Sequence, residues 1–337
     1  MERSPRALTL GLGAVVVGLI LVIGLALVAP SRDATLPSPG SPPVERHRED
    51  TPTDRSVTTR VASLGGGHLV YCGNASLDEF PESPSRIVVV VHGLGGDACP
   101  LADAVLDSTD RSTAVIAPLF TDANPDHLHW HGQDWVVGDA AVGTRPEETG
   151  PSSYELLDEI IERTGADDPG SPPLVVAGFS AGGQVVNRYA ATSSITADQY
   201  IVMSASSYLW FDAARPHPMP RQRCPGFDSW RYGVHHPNAY ASHSTPQEMR
   251  RRYAERRVTY LVGSTDDRPN ATGLDRTCAA RTQGADRLER QVNYLNALPR
   301  FFGPQVTERH VQYVIDGVGH RGTDLLRSGP GRRALNQ

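Results

Sequence analysis

The sequence predicts an α/β fold in which a mostly parallel, twisted sheet carries helices on both faces. Short runs of β-branched and other apolar residues recur after residue 57, and helical or loop segments separate them. Strands buried on both faces have this composition, and their alternation with helices is typical of a covered parallel sheet. An antiparallel hairpin is predicted at 57–64 and 68–72, and parallel strands at 86–91, 113–118, 173–179, 199–204, 257–262 and 310–315.

The clearest helix is predicted at 152–164. Leu156, Leu157, Ile160 and Ile161 recur at helical spacing, and acidic residues fill the opposite face. This segment would pack on the sheet as a crossover between two strands. Because strands and helices account for nearly all of the chain after the first sixty residues, the 337-residue sequence predicts one globular domain at 57–337.

A serine lies at the corner between a predicted strand and a predicted helix. The run 178–183 reads Gly-Phe-Ser-Ala-Gly-Gly, and its position is typical of a nucleophile elbow, with Ser180 as the nucleophile. Gly178 and Gly182 leave room for strand and helix to approach closely. The N–H of Ala181 would then stabilise an oxyanion. The string alone is only moderately specific, because tight turns and phosphate loops also use glycine-rich runs.

Three further segments support this interpretation. The strand at 86–91 ends in a glycine-rich loop that would direct the N–H of Leu94 into the site as a second oxyanion donor. Asp266 follows the strand at 257–262 as the candidate acid, and His320 follows the last strand as the candidate general base. Serine, acid and histidine in this chain order, with two oxyanion donors, predict two-step acyl transfer that needs no cofactor and no metal.

These motifs resemble the α/β-hydrolase superfamily over approximately residues 57–336. Within it the chain is similar to secreted serine esterases and polyester-depolymerase-like members, which often carry a Gly-x-Ser-Ala-Gly-Gly elbow and a Gly-Val-Gly-His ending. The resemblance implies a serine hydrolase acting on a small-molecule or polymeric ester. A peptidase or amidase, an envelope-lipid acyltransferase or thioesterase, and a binding scaffold on the same fold remain alternatives.

Other residues compete with the three candidates. Asp267 could replace Asp266, but the spacing from Gly263 favours Asp266. His92 precedes the glycine-rich loop, and the matching histidine of the superfamily is usually structural. Asp316, next to the candidate base, is expected to be a solvated turn residue.

The superfamily often inserts a cap between the strand after the elbow and the strand that carries the acid, which here is residues 206–245. We expect this segment to shape the substrate pocket. Aromatic rings near an active-site mouth offer apolar contact surface. The expected substrate contacts are Trp130, Trp135, Tyr208 and Trp210.

Three alternating histidines, His127, His129 and His131, would face one side of an extended segment, as a zinc or copper site requires. The turn-rich sequence before them and the neighbouring tryptophans favour a loop at the rim of the cleft instead. We therefore expect substrate contact here and no metal.

The N-terminal composition predicts a membrane anchor. Residues 7–29 are apolar or small apart from Thr9, and this length suits a transmembrane helix. Arginines at 3 and 6 precede it and predict a cytoplasmic segment at 1–6, while the Pro- and Ser-rich segment 30–56 would be an extracytoplasmic stalk. A single-pass protein of the cell membrane follows, with its hydrolase domain outside; a cleaved, secreted form is less favoured because proline follows Ala29.

The exported part contains four cysteines, and an even number favours disulfides. Three pairings are possible, of which we expect Cys72 with Cys99 and Cys224 with Cys278. The chain has a formal net charge of −6 and no lysine, so it lacks the basic surface that nucleic-acid binding requires. The oligomeric state is not predicted by the sequence.

Overall fold

The computed structural model describes residues 55–121, 124–142, 149–168 and 170–337. The predicted cytoplasmic segment at 1–6, the transmembrane segment at 7–29 and nearly all of the predicted stalk lie outside these residues. Within the described part of the chain, no helix has the length and the apolar character that a membrane crossing needs.

An eight-stranded sheet forms the centre of the protein, in the order β1-β2-β4-β3-β7-β8-β9-β10. The pairs β1 with β2 and β2 with β4 are antiparallel, and the remaining pairs are parallel. A separate hairpin joins β5 to β6. The strands are β1 (Thr58–Leu64), β2 (Gly67–Gly73), β3 (Arg86–Val91), β4 (Thr113–Pro118), β5 (Ala140–Val142), β6 (Thr149–Ser152), β7 (Leu174–Phe179), β8 (Gln199–Met203), β9 (Val258–Gly263) and β10 (His310–Ile315).

Helices cover both faces of the sheet, which confirms the predicted fold class. The described helices are α1 (Ala98–Leu106), α2 (Ser153–Arg163), α3 (Ala181–Thr192), α4 (Pro246–Glu255), α5 (Cys278–Arg281), α6 (Arg287–Phe302), α7 (Gly322–Arg327) and α8 (Gly329–Leu335). Apolar residues of α1, α7 and α8 share one buried cluster with alternate strand residues such as Val88 and Val90. Residues of α2, α3, α4 and α6 share a second cluster with Val89 and Val91. The period of two along β3 thus serves two cores.

Each predicted strand begins and ends within one residue of the observed strand. The hairpin of β5 and β6 was not predicted, because strands of three and four residues are too short to show alternation. The predicted helix at 152–164 is α2, and its N-terminus is a capping box. Ser152 Oγ accepts the N–H of Glu155, and the Glu155 carboxylate accepts the N–H of Ser152.

Two disulfides join separate segments of the domain. The structure joins Cys72 to Cys99 with a Cα–Cα distance of 5.0 Å, and Cys224 to Cys278 with a Cα–Cα distance of 5.7 Å. These are the two pairs that we expected from the sequence. The first ties β2 to α1, and the second ties segment 206–245 to α5.

Candidate active site

The turn between β7 and α3 holds Ser180 in a strained conformation. Its φ of 56° and ψ of −108° lie outside the regions that residues other than glycine usually adopt. The N–H of Ser180 donates to Met203 O at 2.8 Å, and the N–H of Gly182 donates to His92 O at 2.9 Å. Hydrogen bonds to the ends of β8 and β3 therefore fix the serine from both sides.

Two glycines make this turn possible. A Cβ added at Gly178 would lie 2.2 Å from Gly182 O, and one added at Gly182 would lie 2.1 Å from Val91 O. Backbone atoms occupy both positions. A side chain at Gly178 would force β7 away from α3, and one at Gly182 would force β3 away from α3. Glycine is required here for close approach.

Ser180, His320 and Asp266 form one chain of hydrogen bonds. Ser180 Oγ lies 3.0 Å from His320 Nε2, and His320 Nδ1 lies 2.8 Å from Asp266 Oδ2. Because an ionised carboxylate only accepts, the Nδ1–H of a neutral imidazole donates to it and Nε2 accepts the serine hydroxyl proton. The serine is thereby positioned for deprotonation as it attacks an electrophile.

Loops after β9 and β10 bring the acid to the histidine. The N–H and hydroxyl of Thr265 both donate to Val318 O, at 3.0 Å and 2.9 Å, so the two loops are tied together. His320 also packs on Phe179, with ring centroids 4.6 Å apart. Two loops that follow neighbouring parallel strands end at the same edge of the sheet, which explains how residues 54 positions apart meet.

Two backbone N–H groups near the serine have no hydrogen-bond partner among the described residues. Neither Leu94 N–H nor Ala181 N–H donates to another group of the described residues. The preceding N–H, from Gly93, is already bound to Asp97 Oδ1 at 2.9 Å. Asp97 thus fixes the loop and leaves Leu94 N–H free, as an oxyanion donor must be.

His92 holds the loop after β3 through hydrogen bonds of both ring nitrogens. It is fully buried, its Nε2 accepts the N–H of Phe120 at 2.9 Å, and its Nδ1–H donates to Gly93 O. Burial lowers the pKa of His92, so the ring stays neutral with this tautomer. The ring has the structural position that we expected for it.

The structure separates the two candidate acids. Asp266 is 3% exposed and contacts His320, whereas Asp267 is exposed to solvent. The second carboxylate oxygen of Asp266 accepts from Arg287 Nη1 at 3.3 Å. Asp316 is exposed and accepts from Ser264 at 3.3 Å, in keeping with a turn residue.

Two cavities meet at His320. The narrower one, of about 310 Å³, is lined by Leu94, Phe179 and Ser180. The wider one, of about 710 Å³, is lined mainly by the loops after β9 and β10. Thr272, Arg287 and His320 line both, so the cavities adjoin as one cleft, and Ser180 lines the smaller of the two.

The structure contradicts the expected aromatic substrate contacts. Trp130, Trp135, Tyr208 and Trp210 are at most 7% exposed and belong to the apolar core, and none of them lines the two cavities. The ring of Trp135 packs 5.5 Å from Phe120, where these large apolar faces are shielded from water. No residue of segment 206–245 lines either of these two cavities.

The three alternating histidines do not converge on one point. His129 Nδ1 is hydrogen-bonded to the backbone oxygen of His127 at 2.9 Å, and His131 is exposed. Among the residues that the structure describes, no group of three or more His, Cys, Asp or Glu side chains could hold a metal ion.

Sequence reasoning missed Asp97, Thr272 and Arg287 as residues of the cleft. For Arg287, the sequence offers one clue, which is the helix-capping residue Asp286. Asp286 accepts the N–H of Glu289 at 2.8 Å and so places Arg287 in the first turn of α6. Which helix start lies beside Asp266 depends on tertiary packing, and the sequence does not reveal it.

Comparisons with known proteins agree with this architecture. No family model and no curated protein matches the chain. Poly(aspartic acid) hydrolase-1 from Sphingomonas sp. KT-1 matches with a TM-score of 0.60 and 20% identity, covering 84% of this chain and 99% of that one. A poly(3-hydroxybutyrate) depolymerase from Bordetella parapertussis matches with a TM-score of 0.57 and 19% identity, covering 84% of this chain and 91% of that one. The chain therefore has the α/β-hydrolase fold, as its motifs predicted.

The backbone contact at Gly182 leads to a stability prediction. Gly182→Ala should lower the free energy of unfolding by about 2 kcal/mol or more, because its Cβ would overlap Val91 O. Gly226→Ala is the matched control, since a Cβ at Gly226 meets no atom within 4 Å, and it should change stability by less than about 0.5 kcal/mol. Urea unfolding measures the free energy of unfolding of both variants. Equal losses would mean that α3 is not held in this close contact with β3.

Proposed function

We propose that the protein is a serine hydrolase that cleaves carboxylic esters through an acyl-enzyme intermediate. The observation that carries the proposal is the chain from Ser180 through His320 to Asp266, with the serine on a strained turn beside two free N–H groups. General base, nucleophile and oxyanion donors are the groups that acyl transfer requires.

His320 takes the hydroxyl proton of Ser180 as the serine oxygen attacks the ester carbonyl carbon. The N–H groups of Leu94 and Ala181 hold the negative oxygen of the tetrahedral intermediate, and Asp266 stabilises the imidazolium. Collapse of the intermediate expels the alcohol, which receives its proton from His320. Water then attacks the acyl-enzyme, with His320 again as the base, and releases the acid and the free serine.

Access for water favours hydrolysis over acyl transfer to a different acceptor. The side chain of His320 is 28% exposed and borders the wider cavity of about 710 Å³. Water can therefore reach the cleft beside the base. The two structural neighbours are named as a hydrolase and a depolymerase, which also supports hydrolysis, and the polymer named for the second is a polyester.

Paired asparagine variants at Asp266 and Asp267 test the proposal. Asp266→Asn should lower kcat on p-nitrophenyl esters by about 10⁴-fold, because an amide cannot hold the required tautomer of the histidine. Asp267→Asn, a neighbouring change of the same chemistry, should stay within about threefold of wild type because this side chain is exposed.

Ser180→Ala provides the blank for this measurement. A wild-type protein that is folded but turns over no more ester than Ser180→Ala would contradict the proposed function. Hydrolysis of amide substrates without any ester turnover would instead favour the peptidase or amidase alternative.

We further propose that the hydrolase domain, residues 57–337, works outside the cytoplasm and is tethered by residues 7–29. The apolar length of that segment and the two disulfides of the domain support this location. Alkaline carbonate should leave the full chain in the membrane fraction and release a chain that begins at Val57. Protease added to intact cells should remove the domain, and full protection from the protease would contradict the proposal.

A further inference from the structure

Both oxygens of the Asp266 carboxylate have partners. Oδ2 faces His320, and Oδ1 accepts from the guanidinium of Arg287 at 3.3 Å. The two side chains of this ion pair are 1% and 3% exposed, so solvent screens it little. The acid is therefore held between the base on one side and a buried cation on the other.

Helix α6 anchors this cation. Arg287 is the first residue of the helix, and its Nη2 donates to Thr272 O at 3.2 Å. The next residue, Leu288, donates its N–H to Asp266 O at 3.3 Å. The first two residues of α6 therefore hold both the backbone oxygen and the side chain of Asp266 by hydrogen bonds. A rotation of the carboxylate away from His320 would break the contact with Arg287.

The cation also acts on the histidine through the acid. A carboxylate beside the imidazole favours its protonated form, and a positive charge beyond that carboxylate opposes this effect. Burial lowers the pKa of the Arg287 guanidinium and the nearby charge of Asp266 raises it, but arginine remains protonated in proteins.

We propose that Arg287 is a positioning residue for the hydrolytic reaction, which directs Asp266 at His320 and sets the pH range in which His320 can act as the base. This inference rests on the proposed function.

Other charged and titratable groups lie near the cleft, and their hydrogen bonds and ion pairs are to residues other than the Asp266 carboxylate. Burial raises the pKa of Tyr208, and the charge of Asp266 adds to this effect, so the phenol stays neutral. Arg321 is paired with Asp324, with Nε and Oδ2 2.6 Å apart. Other described groups near the cleft or its loops are the buried His92, Asp97, which is bound to Gly93, and the exposed Asp267, Arg268 and Asp316.

The test is the pH profile of kcat/KM for a p-nitrophenyl ester, whose acid limb reports the ionisation of the base in the free enzyme. Arg287→Gln should lower kcat/KM at its optimum by about tenfold to a hundredfold, because the acid loses its fixed orientation. Its acid limb should move to higher pH by about one unit, because the cation no longer opposes the imidazolium. Arg287→Lys keeps the charge, and its acid limb should stay within about 0.3 units of wild type.

Arg290→Gln is the matched control for the loss of a buried arginine. Arg290 lies one turn further along α6 and donates to the backbone oxygens of Gly284 and Ser206. Its removal should leave the acid limb unmoved, whatever it does to thermal stability. If Arg287→Gln does not fold, Arg287→Met repeats the neutral test. If neither neutral variant folds, Arg287→Lys decides alone, because a raised limb would overturn the proposal.

A double-mutant cycle asks whether Arg287 acts through Asp266. In an Asp266→Asn background, Arg287→Gln should cost less than about threefold in kcat. An unmoved acid limb in Arg287→Gln, or fully additive losses in the cycle, would overturn the positioning role. Failure of the proposed function is distinguishable from both outcomes, because wild type itself would then show no ester turnover above Ser180→Ala.

Discussion

The close approach of α3 to β7 and β3 at Ser180 is the constraint on which the site depends. A Cβ at Gly178 would lie 2.2 Å from Gly182 O, and one at Gly182 would lie 2.1 Å from Val91 O, so the helix can start where it does only if both positions are glycine. The same geometry holds Ser180 at a positive φ, a strain of about 1–3 kcal/mol that the surrounding hydrogen bonds must offset. This conformation places the Ser180 hydroxyl at the C-terminal end of β7, near the unpaired N–H groups of Ala181 and Leu94.

The parallel sheet supplies the other groups. Loops after β3, β9 and β10 leave the same edge, and each contributes one element to the arrangement around the serine. Side chains then set the finer geometry. Asp97 holds one N–H so that the next one is free, and Arg287 occupies the oxygen of Asp266 that does not face His320. Groups that never touch a substrate can thus decide how well the reacting groups are aligned.

Sequence patterns were sufficient where one local rule determines the structure. Runs of β-branched residues predicted the strands, and the glycine spacing around Ser180 predicted the turn that the structure contains. Patterns were insufficient where the outcome depends on packing between distant segments. An aromatic loop such as that around Trp135 suits a cleft rim as well as a core, and the structure buries that ring completely. Arg287 reads as an ordinary charge in a first helical turn until the packing of α6 places it against Asp266.

Ser180 on this turn is the proposed nucleophile. The most direct measurement is treatment of the protein with an active-site-directed organophosphate ester, followed by intact mass and peptide mapping. We expect one phosphoryl group per chain, on the peptide that contains Ser180, and none on a His320→Gln variant that remains folded. A folded wild-type protein that gains no adduct, or gains it on a different residue, would mean that Ser180 is not the nucleophile.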